Sequence, residues 1–143
     1  MRRLRRVTGV GLGGPVILMY HRVASPAFDP WQLSVSPDNF ADQLAALQAH
    51  RTPMALDQFV AALDEGALPK DAVAITFDDG YLDNLTDAKP LLEAAGVPAT
   101  VFLTVGPLGT DREFWWDALG RIVMAAPAPL ELTLQLHSGP VDI

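Results

Sequence analysis

Cysteine is absent from the 143-residue sequence, which excludes a disulfide framework and a metal site built from thiolates. No apolar run reaches the roughly 18 to 20 residues that a transmembrane helix needs. Basic residues are also scarce, since ten Lys and Arg stand against seventeen Asp and Glu, and four of the ten lie within the first six positions. So acidic a chain argues against nucleic acid as a partner, because phosphates require Lys and Arg to neutralise them.

The N-terminus combines four arginines, Arg2, Arg3, Arg5 and Arg6, with a short apolar stretch. Three glycines and Pro15 interrupt that stretch, and no small-x-small cleavage pattern follows it. We therefore predict a basic tail over residues 1–15 and no signal peptide, with a cytoplasmic location as the default expectation. Half of the residues are hydrophobic and the length suits one core, so residues 16–143 are expected to form one domain.

Apolar strand patterns alternate with helical patterns along the chain. Strands are predicted over residues 16–20, 52–56, 72–77, 99–105 and 130–136. Helices are predicted over residues 37–50, 57–64, 87–95 and 114–126, the first of them opened by Ser36 as N-cap and Pro37 in the first turn. This order predicts parallel βαβ units in an α/β fold.

Two adjacent aspartates close the apolar strand predicted over residues 72–77, in the stretch Thr76-Phe77-Asp78-Asp79-Gly80. In parallel α/β folds ligands gather beyond the carboxyl ends of the strands, which is where Asp78 and Asp79 would lie. Their mutual repulsion favours a nearby cation, and Gly80 permits a sharp backbone turn. Asp-Asp-Gly is also ordinary turn chemistry, but its place at the end of a buried strand favours a functional site.

The sequence resembles the polysaccharide deacetylase family, whose members share the nodulation-protein-B homology domain and include chitin and peptidoglycan deacetylases. The resemblance runs from Val16 to about Val123. It rests on the segments VILMYHRV, SPDNFADQLAAL, AVAITFDDGYLDN, PLLEAAGVPATVFLTV and FWWDAL. Within them, TFDDG is similar to the first catalytic motif of the family.

The resemblance implies a distorted (β/α) barrel, of which this chain is the N-terminal part, and the hydrolysis of N-acetyl groups on a glycan amino sugar. It also implies a divalent metal, commonly zinc. Carried over by position, Asp78 is the general base and Asp79 is a metal ligand. The expected partner is an N-acetylated glycan.

The family also uses two histidines from an H-[ST]-x-x-H motif, and this sequence has only His21, His50 and His137. The nearest candidate begins at His137 but carries Val141 where the second histidine should stand. The later arginine and histidine motifs of the family are likewise absent. We therefore expect an incomplete metal site, a chain that is inactive alone and an unclosed sheet that promotes self-association or dependence on a partner segment.

Lesser candidates have two interpretations each. His21 could line the mouth of the site or be structural, and Tyr81 could contact substrate or pack against the next helix. Trp115 and Trp116 could stack on sugars, although paired aromatics at a helix start are more often core residues.

Two other functions compete with catalysis by a deacetylase. One is a non-catalytic fragment that binds only carbohydrate or a partner, which the missing histidines favour. The other is an aspartate-nucleophile phosphatase. Such enzymes place carboxylates at alternate positions, D-x-D, so that both face the same side, unlike the adjacent Asp78 and Asp79.

Overall fold

The chain folds into alternating strands and helices, which a computed structural model describes for residues 13–124, 133–136 and 139–142. The elements are β1 (Val16–Tyr20), β2 (Arg22–Val23), β3 (Ser34–Val35), α1 (Pro37–His50), β4 (Thr52–Pro53), α2 (Leu56–Asp64), β5 (Ala72–Phe77), a π-helix (Asn84–Ala88), α3 (Lys89–Ala95), β6 (Ala99–Val101), α4 (Trp115–Val123), β7 (Thr133–Leu136) and β8 (Gly139–Asp142). They fall into two compact units. The second unit holds residues 27–32 and the described residues from Val105 onward, and the first holds the rest.

A four-stranded parallel sheet with β5 at its centre forms the framework of the first unit. Strand β1 pairs with β5 up to the partners Tyr20 and Phe77. On the other side of β5, β4 pairs with its beginning and β6 with its end. All of these pairings are parallel, which confirms the predicted α/β fold and brings the carboxyl ends of β1, β5 and β6 to one edge.

Strand β5 is buried along its whole length because helices cover both of its faces. Ile75 and Phe77 point into the main core cluster, together with Phe40 and Leu44 of α1. Ala72 and Ala74, which alternate with them, face Phe59 of α2 on the opposite side. A strand in this position has no solvent-facing residue, which explains why its sequence is apolar except for Thr76, whose hydroxyl lies 3.5 Å from the Leu18 carbonyl.

The beginning of α1 confirms the capping predicted from the sequence. The Asn39 amide donates to Ser36 Oγ at 3.3 Å, and Pro37 occupies the first turn, where its missing N–H costs nothing. Three aromatic rings then join this helix to the sheet, since Tyr20 lies 5.2 Å from Phe40 and 5.5 Å from Phe77 between ring centroids. Contacts of this kind add to the burial that holds helix and sheet together.

Several elements differ from the predictions. The strands predicted over residues 52–56 and 99–105 are shorter, because only two and three residues, respectively, pair with β5. The predicted helix 87–95 begins earlier, as a π-helix, and β7 pairs antiparallel with β8, a strand that the sequence analysis did not predict. Three parts of the predictions lie outside the described residues. They are residues 1–12 of the predicted tail, residues 130–132 of the last predicted strand, and His137 of the histidine candidate. No helix in the described ranges is long and apolar enough to cross a bilayer.

Burial raises the pKa of Tyr20, whose hydroxyl donates to Gln43 Oε1 at 2.8 Å. The folded chain therefore keeps this proton at a pH where the unfolded chain releases it. Stability is intact below about pH 10 and falls as the pH rises through the folded pKa. We expect the Tyr20→Phe variant to lose less stability than the wild type between about pH 8 and pH 11, measured by urea unfolding.

Gln43→Ala is the matched control, because it removes the hydrogen bond and keeps the buried phenol. It should cost about 0.5–1.5 kcal/mol at neutral pH and retain the wild-type loss at high pH. Equal losses in the wild type and Tyr20→Phe would contradict the prediction.

Candidate active site

The candidate site begins where β5 ends, at the turn Asp78-Asp79-Gly80. The Asp78 amide donates to the Tyr20 carbonyl at 2.9 Å, which extends the pairing of β1 with β5 one residue past Phe77. The Gly80 amide donates to the Asp78 carbonyl at 2.9 Å and closes a tight turn around Asp79. Both half-buried carboxylates therefore leave the sheet at its carboxyl edge, the place where parallel α/β folds bind ligands.

The backbone of this turn is strained. Asp79 has φ 70° and Gly80 has φ 77°, in the left-handed region that most residues avoid. Asp is among the few side chains that tolerate it, and a Cβ on Gly80 would also overlap Leu103 Cδ2. Strain of this kind persists only where the surroundings fix the backbone, and it concentrates at functional sites.

Residues that follow β6 hold Asp79 from the other side. The Thr104 amide donates to the Asp79 carbonyl at 3.2 Å, and Thr104 Oγ1 lies 3.5 Å from Asp79 Oδ1. The Phe102 amide donates to the Phe77 carbonyl at 2.8 Å. The turn is thus fixed by both neighbouring strands, β1 through Tyr20 and β6 through Thr104.

A buried acid that the sequence analysis missed lies just after the turn. Asp83 is 9% exposed, and its Oδ2 accepts a hydrogen bond from Arg22 Nε at 2.9 Å. Its Oδ1 accepts from the Val23 amide at 3.1 Å. No local pattern could reveal this ion pair, because its members are 61 positions apart.

Two lesser candidates, His21 and Tyr81, lie at the same edge of the sheet. The carbonyl of His21 accepts from Asn84 Nδ2 at 2.8 Å, and the guanidinium of Arg22 lies 4.6 Å from the centroid of the Tyr81 ring. Tyr81 also lines an apolar groove of about 690 Å³ beside β6. One face of the Tyr81 ring therefore packs against Arg22.

The paired tryptophans belong to the second unit. Trp116 stacks on Phe114 at 4.7 Å, and its carbonyl accepts from Trp31 Nε1 at 3.1 Å. Trp115 is 70% exposed. Of the two, Trp116 is a packing residue, and Trp115 presents its ring to solvent.

The described residues do not make a complete metal site. A catalytic zinc generally takes three protein ligands and keeps one open position. Within residues 13–124, 133–136 and 139–142, no three His, Cys, Asp or Glu side chains lie close enough together to share a cation. Asp78 and Asp79 supply two carboxylates, His137 lies outside the described residues, and the roles predicted for both aspartates stay predictions.

Comparison with known proteins finds similarity to one family. A family model described as polysaccharide deacetylase matches residues 65–127, which contain β5, the Asp78–Gly80 turn and β6. The poly-beta-1,6-N-acetyl-D-glucosamine N-deacetylase of Staphylococcus epidermidis is 33% identical over 80 residues, or 55% of this chain and 28% of the relative. The matched segments span about a third or less of the curated relatives.

Solved structures show the same resemblance in three dimensions. The structure of IcaB from Ammonifex degensii has a TM-score of 0.60 and 30% identity, covering 71% of this chain and 42% of that protein. The Streptococcus pyogenes deacetylase PplD, solved in complex with acetate, has a TM-score of 0.58 and 29% identity, covering 68% and 46%. The parallel sheet described above is thus part of a (β/α) barrel of the kind that these deacetylases have, and the chain is similar to polysaccharide deacetylases over β5, the Asp78–Gly80 turn and β6.

Proposed function

We propose that this chain carries two active-site aspartates of an enzyme that hydrolyses N-acetyl groups on the amino sugars of a glycan. The observation that supports the proposal most is the strained turn at Asp79, fixed from both sides at the carboxyl edge of the sheet. The names of the relatives support an N-acetylated glycan as the substrate class.

In this proposal Asp78 acts as the general base. Hydrolysis of an acetamide requires water to attack the carbonyl carbon, and the Asp78 carboxylate accepts the proton that the water loses. The C–N bond then breaks as the sugar nitrogen takes that proton back from Asp78, which leaves a free amine on the sugar and releases acetic acid that ionises to acetate. The backbone hydrogen bond from Asp78 to Tyr20 fixes the base relative to the sheet, and such positioning is a large part of enzymatic rate acceleration.

Asp79 is, in the same proposal, one ligand of a divalent metal, with zinc as the expected ion. Its backbone carbonyl and Oδ1 both face Thr104, so its side chain is directed before any ion binds. The remaining ligands are expected from outside the described residues, because these bring no third His, Cys, Asp or Glu side chain close to the pair. We therefore infer that the 143 residues are inactive alone.

Acetate release from N-acetylglucosamine oligomers tests this function. We expect none above background from the 143-residue chain, and measurable release from a version extended through the downstream reading frame. In that longer version, Asp78→Asn should lower kcat by about 10²–10⁴-fold, the usual contribution of a general base. Asp64→Asn, which changes an exposed carboxylate at the end of α2, is the control and should retain full activity.

Zinc titration by calorimetry tests the proposed role of Asp79 without a catalytic assay. The 143-residue chain should bind zinc weakly, since two carboxylates provide only part of a ligand set. Asp79→Asn should weaken this binding further, whereas Asp64→Asn should leave it unchanged. A Kd below about 1 μM, equivalent to about 8 kcal/mol, would show that the chain has a complete site and would contradict the proposal.

Binding of a glycan without hydrolysis is the second candidate function. The absence of a third metal ligand among the described residues favours it for the isolated chain. Glycan binding by both the short and the extended chain, with acetate release by neither, would favour this alternative.

We also propose that the isolated chain self-associates through the free edge of its sheet. Within the described ranges no strand pairs with the outer edge of β6. Val101, Phe102 and Leu103 are 43%, 52% and 55% exposed there, next to the apolar groove. An unpaired edge with exposed apolar side chains invites pairing with another chain.

Light scattering after size-exclusion chromatography should therefore show a concentration-dependent dimer or larger species. Val101→Lys should shift it towards the monomer, because a lysine on an edge strand opposes pairing. Val123→Lys is the control, since Val123 of α4 is similarly exposed at 51% and lies outside the sheet. A wild-type chain that stays monomeric and melts cooperatively at every concentration would overturn the proposal.

A further inference from the structure

Both oxygens of the buried Asp83 carboxylate accept hydrogen bonds from β2. Oδ2 accepts from Arg22 Nε at 2.9 Å and Oδ1 from the Val23 amide at 3.1 Å, while Asn84 Nδ2 lies 3.3 Å from Oδ1. The Asp83 side chain is only 10% exposed and that of Arg22 28%. Removing one partner of such a pair leaves a buried charge without compensation, so the two residues depend on each other.

Two further contacts join the same two segments of the chain. Asn84 Nδ2 donates to the His21 carbonyl at 2.8 Å, and the Arg22 guanidinium lies over the Tyr81 ring. Residues 21–23, which include β2, are therefore bound by Tyr81, Asp83 and Asn84. We call this set of contacts between residues 21–23 and 81–84 the Asp83 clamp.

The clamp closes a ring of contacts around the candidate base. Tyr20 directly precedes residues 21–23 of the clamp, and its carbonyl accepts a hydrogen bond from the Asp78 amide. Residues 78–80 thus form a short bridge that is tied to β1 at its start through Tyr20 and, three residues past its end, to β2 through Asp83. Since Asp79 and Gly80 have positive φ, anchors at both ends are what hold the bridge in its strained shape.

We propose that Asp83 is a positioning residue for Asp78: through Arg22 and Val23 it fixes β2, and β2 in turn fixes the nearby Tyr20 carbonyl, which accepts from the Asp78 amide. This assignment rests on the proposed function, because it gives Asp83 a purpose in the reaction. Its charge is the essential property. A buried ion pair stabilises a fold little in comparison with apolar packing. Its effect here is to fix the relative positions of the two segments that carry Arg22 and Asp83.

Amide hydrogen exchange of the ¹⁵N-labelled 143-residue chain, followed by NMR, tests the proposal. Asp83→Asn keeps the shape of the side chain and removes its charge. It should accelerate exchange at the amides of Val23 and Asp78 by about tenfold or more relative to that of Ile75, in the core of β5. A residue that merely stabilises the fold would accelerate all three amides equally.

Two further variants complete the experiment. Asp83→Asn in an Arg22→Gln background should add little to the exchange at Asp78, because both changes break the same pair. Lys89→Gln is the control, since it removes the exposed ion pair between Lys89 and Glu93 in α3 and should leave Asp78 unchanged.

The outcomes separate this proposal from the proposed function. Unchanged relative exchange at Asp78 in Asp83→Asn would overturn the positioning role, whatever the acetate assay shows. Selective loosening of Asp78 would support it. In that case, an extended chain that releases no acetate would refute the deacetylase function and with it the catalytic purpose of the clamp.

Discussion

The pairing of β1 with β5 is the interaction on which the rest of this structure depends. Five consecutive residue pairs align the two strands, and the last of them, Tyr20 with Phe77, sets where the following loops begin. Every contact of the candidate site described above starts from that alignment. A slip of one residue would reverse the faces of the strand and move Asp78 away from the Tyr20 carbonyl.

Burial on both sides makes this alignment robust. Phe40 and Leu44 hold one face of β5, and Phe59 holds the other, so the strand has no alternative register that keeps it covered. The polar site therefore follows the strand whose register is the most strongly fixed by packing. A rigid strand followed by a strained turn is a suitable support for side chains that must be placed accurately.

The sequence predicted the helices of the first unit and the strands of its parallel sheet because their patterns are local, but it did not predict β2 and β3. The apolar run that ends at Asp78, and the Ser36 cap, each lie within a few residues of the element they define. The extent of β6 was not predictable, since its apolar residues continue to Val105 while pairing with β5 ends at Val101. Likewise the pairing of Arg22 with Asp83 follows from the register of β1 and β5, which no local pattern contains.

The π-helix at Asn84–Ala88 constrains how this segment can vary in length. Its closing bond runs from the Lys89 amide to the Asn84 carbonyl, five residues back, so the turn is one residue wider than an α-turn. The π-turn thus accommodates one residue more than an α-turn would between its two ends. At one end Asn84 donates to the His21 carbonyl, and at the other Ala88 packs in the core, so the length of the turn sets the spacing between these two contacts, and the exposed Leu85 between them takes part in neither.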